Sequence, residues 1–276
     1  MNRIKRIGCI LVGLTMLVGM QAQTYHDLIE QAMDYTQKDS LVQAEQLFKQ
    51  ALKMDAANAR NALLFSNLGT IQKRMNKIDE AIESYTMALN ITPYATSILL
   101  NRAALFLDKG LKDKAYIDYC NVIDLLPENE EARLFRAYIY MSRHQYDEAK
   151  VDYTVILGKN PSHKSARIGL VLLNQNVGKL TAAHNGLNLL INDFPEDTSL
   201  LKMRANLELE ENYPDAALVD LETVVELDPK DAEAFCLIGD VRLRLHKKKE
   251  ALKAFETAIS LGVSRAQLQE QLKACK

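Results

Sequence analysis

Apolar residues recur in this chain at the spacing of a helix, inside a unit that repeats every 34 residues. Seven alanines mark the unit, separated by 37 residues once and then by 34 residues five times. They are Ala44, Ala81, Ala115, Ala149, Ala183, Ala217 and Ala251. A bulky residue stands four positions after each alanine and an apolar residue eight positions after it, a spacing that lies along one helix face. The pattern therefore predicts a helix around each alanine.

A second helix is predicted in front of each of these helices. Twelve residues before each alanine stands a residue that is mostly small. These residues are Ala32, Gly69, Ala103, Ala137, Val171, Ala205 and Gly239. Where two antiparallel helices cross closely, a small residue lets the backbones approach, and a bulky neighbour fills the remaining space. The predicted space-filling residues are Phe48, Tyr85, Tyr119, Tyr153, Leu187, Leu221 and Phe255.

Prolines and aspartates indicate where the helices end and begin. In five repeats a proline follows the alanine by twelve residues and ends the second helix, because proline lacks an amide donor and clashes with the preceding turn. Pro214 is expected to start a helix instead. An aspartate two residues before the alanine is predicted to cap free amides or to meet the positive end of the helix dipole. These aspartates are Asp79, Asp113, Asp147 and Asp215.

At this point the repeats show a family resemblance. NLGTIQ and DEAIESYTMALNITP in the second repeat, and NRAALF and DKAYIDYCNVIDLLP in the third, resemble the tetratricopeptide repeat of exported bacterial proteins. The resemblance implies an all-α fold, an α-solenoid that winds as a right-handed superhelix of about seven helix-turn-helix repeats. The sequence departs from the family pattern locally. No repeat has the family's tryptophan, and the fifth has Val171 and Asn174 where small and aromatic residues are usual.

The predicted array covers residues 25–263. Its repeats are 25–58, 62–95, 96–129, 130–163, 164–197, 198–231 and 232–263. Residues 264–276 follow as an amphipathic stretch with Leu268 and Leu272 four residues apart, and they are predicted to form a capping helix. Such a helix covers the apolar face that the last repeat of a solenoid would otherwise expose.

Residues 1–22 are predicted to be a secretory signal peptide. Arg3, Lys5 and Arg6 precede an uncharged run over residues 7–20, and the small residue Ala22 follows. The run is 14 residues long, short of the roughly 20 that cross a bilayer as a helix, so cleavage is favoured over a retained anchor. We therefore expect an exported protein, periplasmic or secreted, with no membrane span in the mature chain.

Charge and cysteine content narrow the range of functions. Removal of the predicted leader leaves 31 basic residues against 36 acidic ones, which argues against the clustered basic surface of a nucleic-acid-binding protein. Three cysteines would remain, namely Cys120, Cys236 and Cys275. An odd number at wide spacing is not a disulfide framework. Helix packing must therefore supply the stability.

Catalytic and cofactor motifs are absent from the sequence. It contains no HExxH, no glycine-rich phosphate loop and no GxSxG. The histidines lie at scattered positions without a cysteine at metal-ligand spacing. Acidic pairs such as Asp79 with Glu80 stand at predicted helix starts, where carboxylates are stabilised without any catalytic role. We therefore expect no enzyme activity, no metal and no cofactor.

The resemblance implies that the first helix of each pair lines a concave groove that binds a protein or peptide. On these helices, the stripe facing away from the alanine crossing is apolar at eight of nine positions in the third to fifth repeats. The candidate groove residues are Leu100, Asn101, Leu107, Leu134, Phe135, Tyr138, Met141, Ile168 and Leu172. An apolar middle with polar ends suits an extended peptide or an amphipathic helix.

Alternatives remain open at this level. The stripe could pack against the neighbouring repeat as part of the solenoid core. The protein could bind carbohydrate or cell wall, although no tryptophan is present for sugar stacking. The clamp that grips chaperone C-termini is rejected because Ile29, Met33 and Ser97 stand where basic residues are required. The sequence identifies neither the partner nor the oligomeric state.

Overall fold

A computed structural model describes residues 24–276, and within that range the protein is built of fifteen helices without a strand. They are α1 Tyr25–Gln37, α2 Leu41–Met54, α3 Asn61–Arg74, α4 Ile78–Ile91, α5 Thr96–Asp108, α6 Lys112–Leu125, α7 Glu130–Ser142, α8 Tyr146–Lys159, α9 Lys164–Asn176, α10 Leu180–Asp193, α11 Thr198–Glu210, α12 Pro214–Leu227, α13 Ala232–Arg244, α14 Lys248–Ser260 and α15 Gln269–Ala274. The first fourteen form seven pairs. The prediction of an all-α fold of about seven stacked helix pairs is confirmed.

The helices belong to two compact units. The first unit ends at Pro127 and contains α1 to α6, and the second unit, Glu128–Lys276, contains α7 to α15. Within each unit every helix packs against the next one along the chain. Within a unit, every first helix other than the one that begins it therefore contacts both its own partner and the second helix of the preceding pair. Each unit is a stack of helix pairs.

Each pair crosses where the repeat pattern predicts. The repeat alanines and the bulky residues four positions after them are buried in all seven pairs. A β-carbon added at Gly69 would lie 2.9 Å from Tyr85 Cε1, and one added at Gly239 would lie 2.3 Å from Phe255 Cε1. Glycine is therefore needed where the facing aromatic ring sits against the backbone. The predicted role of the small residues is confirmed for Gly69 and Gly239.

The turn between the two helices of a pair places a left-handed residue at one fixed repeat position. These residues are Asp39, Asn76, Gly110, His144, Gly178, Asn212 and His246, with φ between 58° and 74°. Glycine reaches this region without strain, and Asn, Asp and His reach it more readily than other residues. The choice of residues at this position follows from the backbone conformation.

Helix starts differ in part from the prediction. The aspartates two residues before the repeat alanine lie at the second residue of their helices, and these helices have no side-chain cap. Capping by these aspartates is therefore wrong, and their interaction is with the helix dipole. Caps occur instead at first helices, as where Asn129 Oδ1 accepts from the Ala132 amide at 2.8 Å. Pro214 is the first residue of α12, as predicted.

A short helix follows the last pair. Leu268 and Leu272 are buried together with Ala251, Phe255 and Ala258 of α14. The helix α15 covers six residues, fewer than the predicted stretch 264–276, because turns occupy the residues before it. Its apolar side thus packs on the end of the stack.

The predicted signal peptide, residues 1–22, lies outside the described residues. Within residues 24–276, no helix combines the length and the apolar character that a membrane crossing requires. Export of the chain stays a prediction.

Candidate functional site

Three of the predicted groove residues lie in the first unit, on α5. Leu100, Asn101 and Leu107 are all half-buried there. The opposite side of α5 carries the buried residues Ile98, Leu99, Ala103, Leu105 and Phe106. The predicted stripe thus forms the margin of the first unit's core on this helix.

The other six predicted residues lie in the second unit, on α7 and α9. Leu134, Met141 and Ile168 are partly buried and pack against core clusters, and Phe135 is also partly buried. Tyr138 and Leu172 are the exposed members, with 53% and 39% of their surface accessible. The stripe therefore divides into residues that support the core and two residues that face outward.

An open cavity lies along the first helices of the fifth, sixth and seventh repeats. It has a volume of about 550 Å³ and is formed by α9, α11 and α13. Its apolar lining consists of Leu172, Met203, Leu209, Leu237 and Val241. Its polar lining consists of Gln175, Asn206, Glu210, Asp240 and Arg244. We call this surface the α9–α11–α13 groove.

Helix register explains why these side chains meet. Adjacent first helices repeat every 34 residues, so Leu172, Asn206 and Asp240 occupy the same position on α9, α11 and α13. The groove includes Leu172 but none of the other eight predicted residues, and it continues into the sixth repeat, predicted from the sequence to be a polar end, and into the seventh. The additional apolar lining from Met203, Leu237 and Val241 becomes visible only once the neighbouring helices are in place.

The polar side chains of the groove are unequally satisfied. Gln175 Nε2 donates to Glu210 Oε2 at 2.7 Å, linking α9 to α11. Asp240 is half-buried and forms no hydrogen bond or ion pair with any described residue. Burial raises the pKa of its carboxyl, and Arg244 one turn later partly opposes that rise. The groove therefore holds one carboxylate whose burial is only partly compensated.

A cation beside the groove is already paired. Lys202 Nζ on α11 lies 3.0 Å from Asp231 Oδ2 and 2.8 Å from Glu233 Oε2. The hydrogen bond to Glu233 is the main reason that the pKa of Lys202 is raised above its ordinary value. Lys202 is thus held by acidic partners at the start of α13. The lining itself carries two carboxylates and one guanidinium.

A recurring arginine–aspartate pair lies between the two helices of three repeats. The pairs are Arg102 with Asp118, Arg136 with Asp152 and Arg204 with Asp220. In each pair the guanidinium donates to both carboxylate oxygens, over distances of 2.7 to 2.9 Å. The aspartates are almost fully buried. The signal for these pairs in the sequence is an arginine and an aspartate sixteen residues apart in three repeats.

Two of these arginines also contact the preceding repeat. Arg102 Nη1 donates to Thr86 Oγ1 at 3.0 Å, and Arg204 Nη1 donates to Asn188 Oδ1 at 2.7 Å. Thr86 and Asn188 each lie on the second helix of the repeat before. Each pair thus ties a first helix to its own second helix. Of the three, only Arg204 lies on a helix of the groove, where its contacts to Asp220 and Asn188 hold α11 in place.

Residues 24–276 contain no group of histidine, cysteine and acidic side chains arranged to hold a metal ion. Three described histidines, His144, His163 and His184, have side-chain partners nearby. His163 Nδ1 accepts the Ala166 amide at the start of α9. His184 on α10 pairs with Glu211, the residue that follows α11 in the next repeat.

Comparison with known proteins places these features in a family. Two family models described as tetratricopeptide repeat match residues 63–94 and residues 202–266. The crystal structure of a tetratricopeptide repeat protein from Parabacteroides merdae is 34% identical, with a TM-score of 0.72, over 92% of this chain and 99% of that one.

Two further similarities are more limited. The first supports the fold alone, and the second covers only a segment of the chain. YrrB, described as a TPR protein with an unusual peptide-binding site, is 20% identical with a TM-score of 0.52, over 70% of this chain and 99% of that one. Human DnaJ homolog subfamily C member 7 is 34% identical over 77 residues, which is 28% of this chain and 16% of that protein. The chain thus spans about a sixth of this curated relative. Its similarity to the Parabacteroides merdae protein over nearly the full length of both chains shows that it belongs to the tetratricopeptide-repeat family.

Proposed function

We propose that this chain is a non-catalytic scaffold that binds a peptide or a helix of another protein in the α9–α11–α13 groove. Tetratricopeptide-repeat proteins are generally scaffolds for protein–protein contact. The observation that carries the proposal is the cavity of about 550 Å³ across three adjacent first helices, half of whose lining residues are apolar. The peptide-binding site named for YrrB is consistent with such a use of the fold.

The groove has the chemistry that a peptide requires. Each apolar side chain that becomes fully buried in a complex contributes about 1.5 to 3 kcal/mol before the ordering of the ligand is subtracted. Asn206 and Gln175 lie among the apolar residues and offer amide donors and acceptors to a peptide backbone. Two or three buried anchors of this kind supply about 3 to 9 kcal/mol before that subtraction, so hydrogen bonds to the peptide backbone must add to them for an affinity in the micromolar range, about 8 kcal/mol.

The remaining predicted residues extend the proposal. Tyr138 on α7 occupies the repeat position that Leu172 occupies on α9, and both are exposed. We propose that it contacts the ligand beyond the Leu172 side of the groove. In the first unit, Leu100, Asn101 and Leu107 stay a proposed binding surface of that unit.

The test uses two leucines of the fifth repeat. A phage-displayed random-peptide library is selected on the full chain, and the affinities of enriched synthetic peptides are measured by fluorescence anisotropy. Leu172→Glu places a charge in the groove and should weaken binding at least about tenfold. Leu189→Glu is the matched control, because Leu189 is 62% exposed on α10, the second helix of the same repeat. Equal binding by both variants would refute the proposed groove.

We further propose that the chain acts outside the cytoplasm. The basis is the predicted signal peptide over residues 1–22, with its positive start, apolar run and small residue at Ala22. Expression of the complete sequence in a bacterium, followed by N-terminal sequencing of the periplasmic fraction, tests this. A chain that begins just after Ala22 supports export, whereas a cytoplasmic chain that retains Arg3 contradicts it.

A further inference from the structure

Asp240 differs from the other inward-facing aspartates of the second unit. Asp152 and Asp220 are each held by an arginine of the same helix pair. Asp240 lines the α9–α11–α13 groove, is half-buried, and has no hydrogen bond or ion pair with a described residue. Arg244, the nearest cation that affects it, lies one turn further along α13 and forms no ion pair with it. A half-buried carboxylate without a cation partner has lost part of its hydration, and a basic group of a ligand would offset that loss.

The groove changes character along its length. The equivalent position on the first helices of the fourth to seventh repeats is occupied in turn by Tyr138, Leu172, Asn206 and Asp240. Exposed apolar side chains, Tyr138 beside the groove and Leu172 within it, are therefore followed along these helices by an amide and then by a carboxylate at α13. Glu210, which lines the groove on α11, uses one oxygen for Gln175 and adds a second carboxylate to the same lining.

We propose that the groove binds a peptide segment in one orientation, with apolar side chains over Leu172 and a lysine or arginine side chain against Asp240. The inference rests on the proposed function and adds the chemistry of the ligand. A basic side chain supplies the hydrogen-bond donors that Asp240 lacks, and the ion pair forms in a partly desolvated site where it is stronger than on an open surface. The change from apolar to acidic lining fixes the direction of the segment.

Charge complementarity favours this ligand over an acidic one. Lys202 and Arg204, the two cations that flank the lining residue Met203 on α11, are already paired, Lys202 with Asp231 and Glu233 and Arg204 with Asp220. An acidic peptide would find only Arg244 and would bring its carboxylates close to Asp240 and Glu210. Repulsion between neighbouring carboxylates weakens binding, so the same residues that favour a basic peptide disfavour an acidic one.

The experiment selects a random-peptide phage library on the full wild-type chain and, separately, on the Asp240→Asn variant. Wild-type selection should enrich sequences with apolar residues on one side of a lysine or arginine. For an enriched synthetic peptide, replacing its basic residue by glutamine should weaken binding to wild type about tenfold and have little effect on binding to Asp240→Asn. The substitution keeps the size of the side chain, and an unchanged melting temperature shows that the variant is folded.

The outcomes separate this inference from the proposed function. If enriched peptides lose affinity with Leu172→Glu but show no preference for basic residues, the groove binds peptides and the role of Asp240 is refuted. If the enriched peptides bind equally to wild type and to Leu172→Glu, the groove is not the binding site and both proposals fail. A basic preference that persists unchanged in Asp240→Asn would also overturn the assignment to this carboxylate.

Discussion

Val171 on α9 fills the space that a side chain at Gly186 on α10 would occupy, since a β-carbon added to Gly186 would lie 2.7 Å from Val171 Cγ2. Val171 stands where the other repeats have alanine or glycine. Considered without its neighbours, this larger residue would be expected to disrupt the helix crossing of the fifth repeat. Gly186 is the compensating residue on the facing helix. Gly186 takes the repeat position that Asp152 and Asp220 occupy in other repeats, and the bulky Leu187 beside it stays buried, so α10 admits Val171 by having a small residue at a second position.

The close contact between Val171 and position 186 predicts that substitutions at the two positions have coupled effects on stability. Gly186→Ala should lower the free energy of unfolding by about 1 to 3 kcal/mol because the new methyl group overlaps Val171. Val171→Ala should lower it by a similar amount because it leaves a cavity beside Gly186. The double variant restores a pair that fits, so its loss should fall short of the sum by at least about 1 kcal/mol. Urea denaturation of wild type, the two single variants and the double variant measures the coupling. Strictly additive changes in the free energy of unfolding would contradict a direct fit between Val171 and Gly186.

Glycine-to-alanine substitutions should have opposite signs at two helical positions. Alanine normally stabilises a helix by up to about 1 kcal/mol relative to glycine. Gly158→Ala should show this gain, because an added β-carbon meets nothing within 4 Å. Gly239→Ala should instead lower the melting temperature, because its β-carbon would lie 2.3 Å from the buried ring of Phe255. Circular-dichroism melting of both variants checks this, and a stabilised Gly239→Ala protein would show that the crossing is loose.

The arginine–aspartate pairs should depend on having both members. Asp220→Ala leaves Arg204 partly buried without its carboxylate and should cost about 2 to 4 kcal/mol. The combined change Arg204→Met and Asp220→Leu removes both charges and should recover most of that loss, since well-packed apolar residues can replace a buried ion pair. The fifth repeat provides a natural parallel, with Leu170 and Gly186 at the corresponding positions.

Urea denaturation of the single and double variants measures this difference. A double variant no more stable than Asp220→Ala would contradict the account, because it would mean that Arg204 contributes independently of Asp220. Its hydrogen bond to Asn188 is the contact that could do so. Asn188→Ala in the Asp220→Ala background then separates the two contributions.

Glu45 in the first unit should make stability depend on pH. Burial alone would raise the pKa of this carboxyl, but hydrogen bonds from Lys49, Lys77 and Gln72 outweigh burial and lower the pKa to about 2. A carboxyl whose pKa is lowered in the folded state stabilises the fold above its unfolded pKa, and that stabilisation is lost as pH falls toward the folded pKa. The loss should occur between its ordinary value of 4.5 and about 2.

The matching variant is Glu45→Gln, which cannot titrate. Near neutral pH it should be less stable than wild type by about 1 to 3 kcal/mol, and the gap should narrow as pH falls below the unfolded pKa. Urea denaturation of both proteins at neutral pH and at about pH 3 measures the two gaps. A gap that is the same at both pH values would show that the lysines do not stabilise the ionised form.

The sequence predicts the repeat well because each repeat carries the same local constraints. The alanine crossing, the bulky residue after it and the closing proline are each short-range signals, and they agree in all but a few positions. Val171 shows the limit of position-by-position reading, since its partner Gly186 lies on the other helix. The Arg204–Asp220 pair shows the same limit, because neither residue is unusual until their spacing is compared between repeats.

The binding surface is harder to predict than the fold. Exposure on a first helix depends on how closely its neighbours approach, so Leu134 and Met141 pack against a core whereas Tyr138 and Leu172 stay exposed. The α9–α11–α13 groove joins side chains from three helices that follow one another at intervals of 34 residues. Its acidic end at Asp240 depends on which carboxylates already have partners, and the sequence alone does not give that information.

The location of a bound peptide tests the central claim most directly. A peptide enriched on the full chain is synthesised with a benzophenone group, cross-linked by light and mapped by mass spectrometry after proteolysis. If the peptide binds in the α9–α11–α13 groove, cross-links form in α9, α11 and α13. Leu172→Glu reduces them and Leu189→Glu leaves them unchanged. Cross-links confined to the second helices α10, α12 and α14 would contradict binding in the groove.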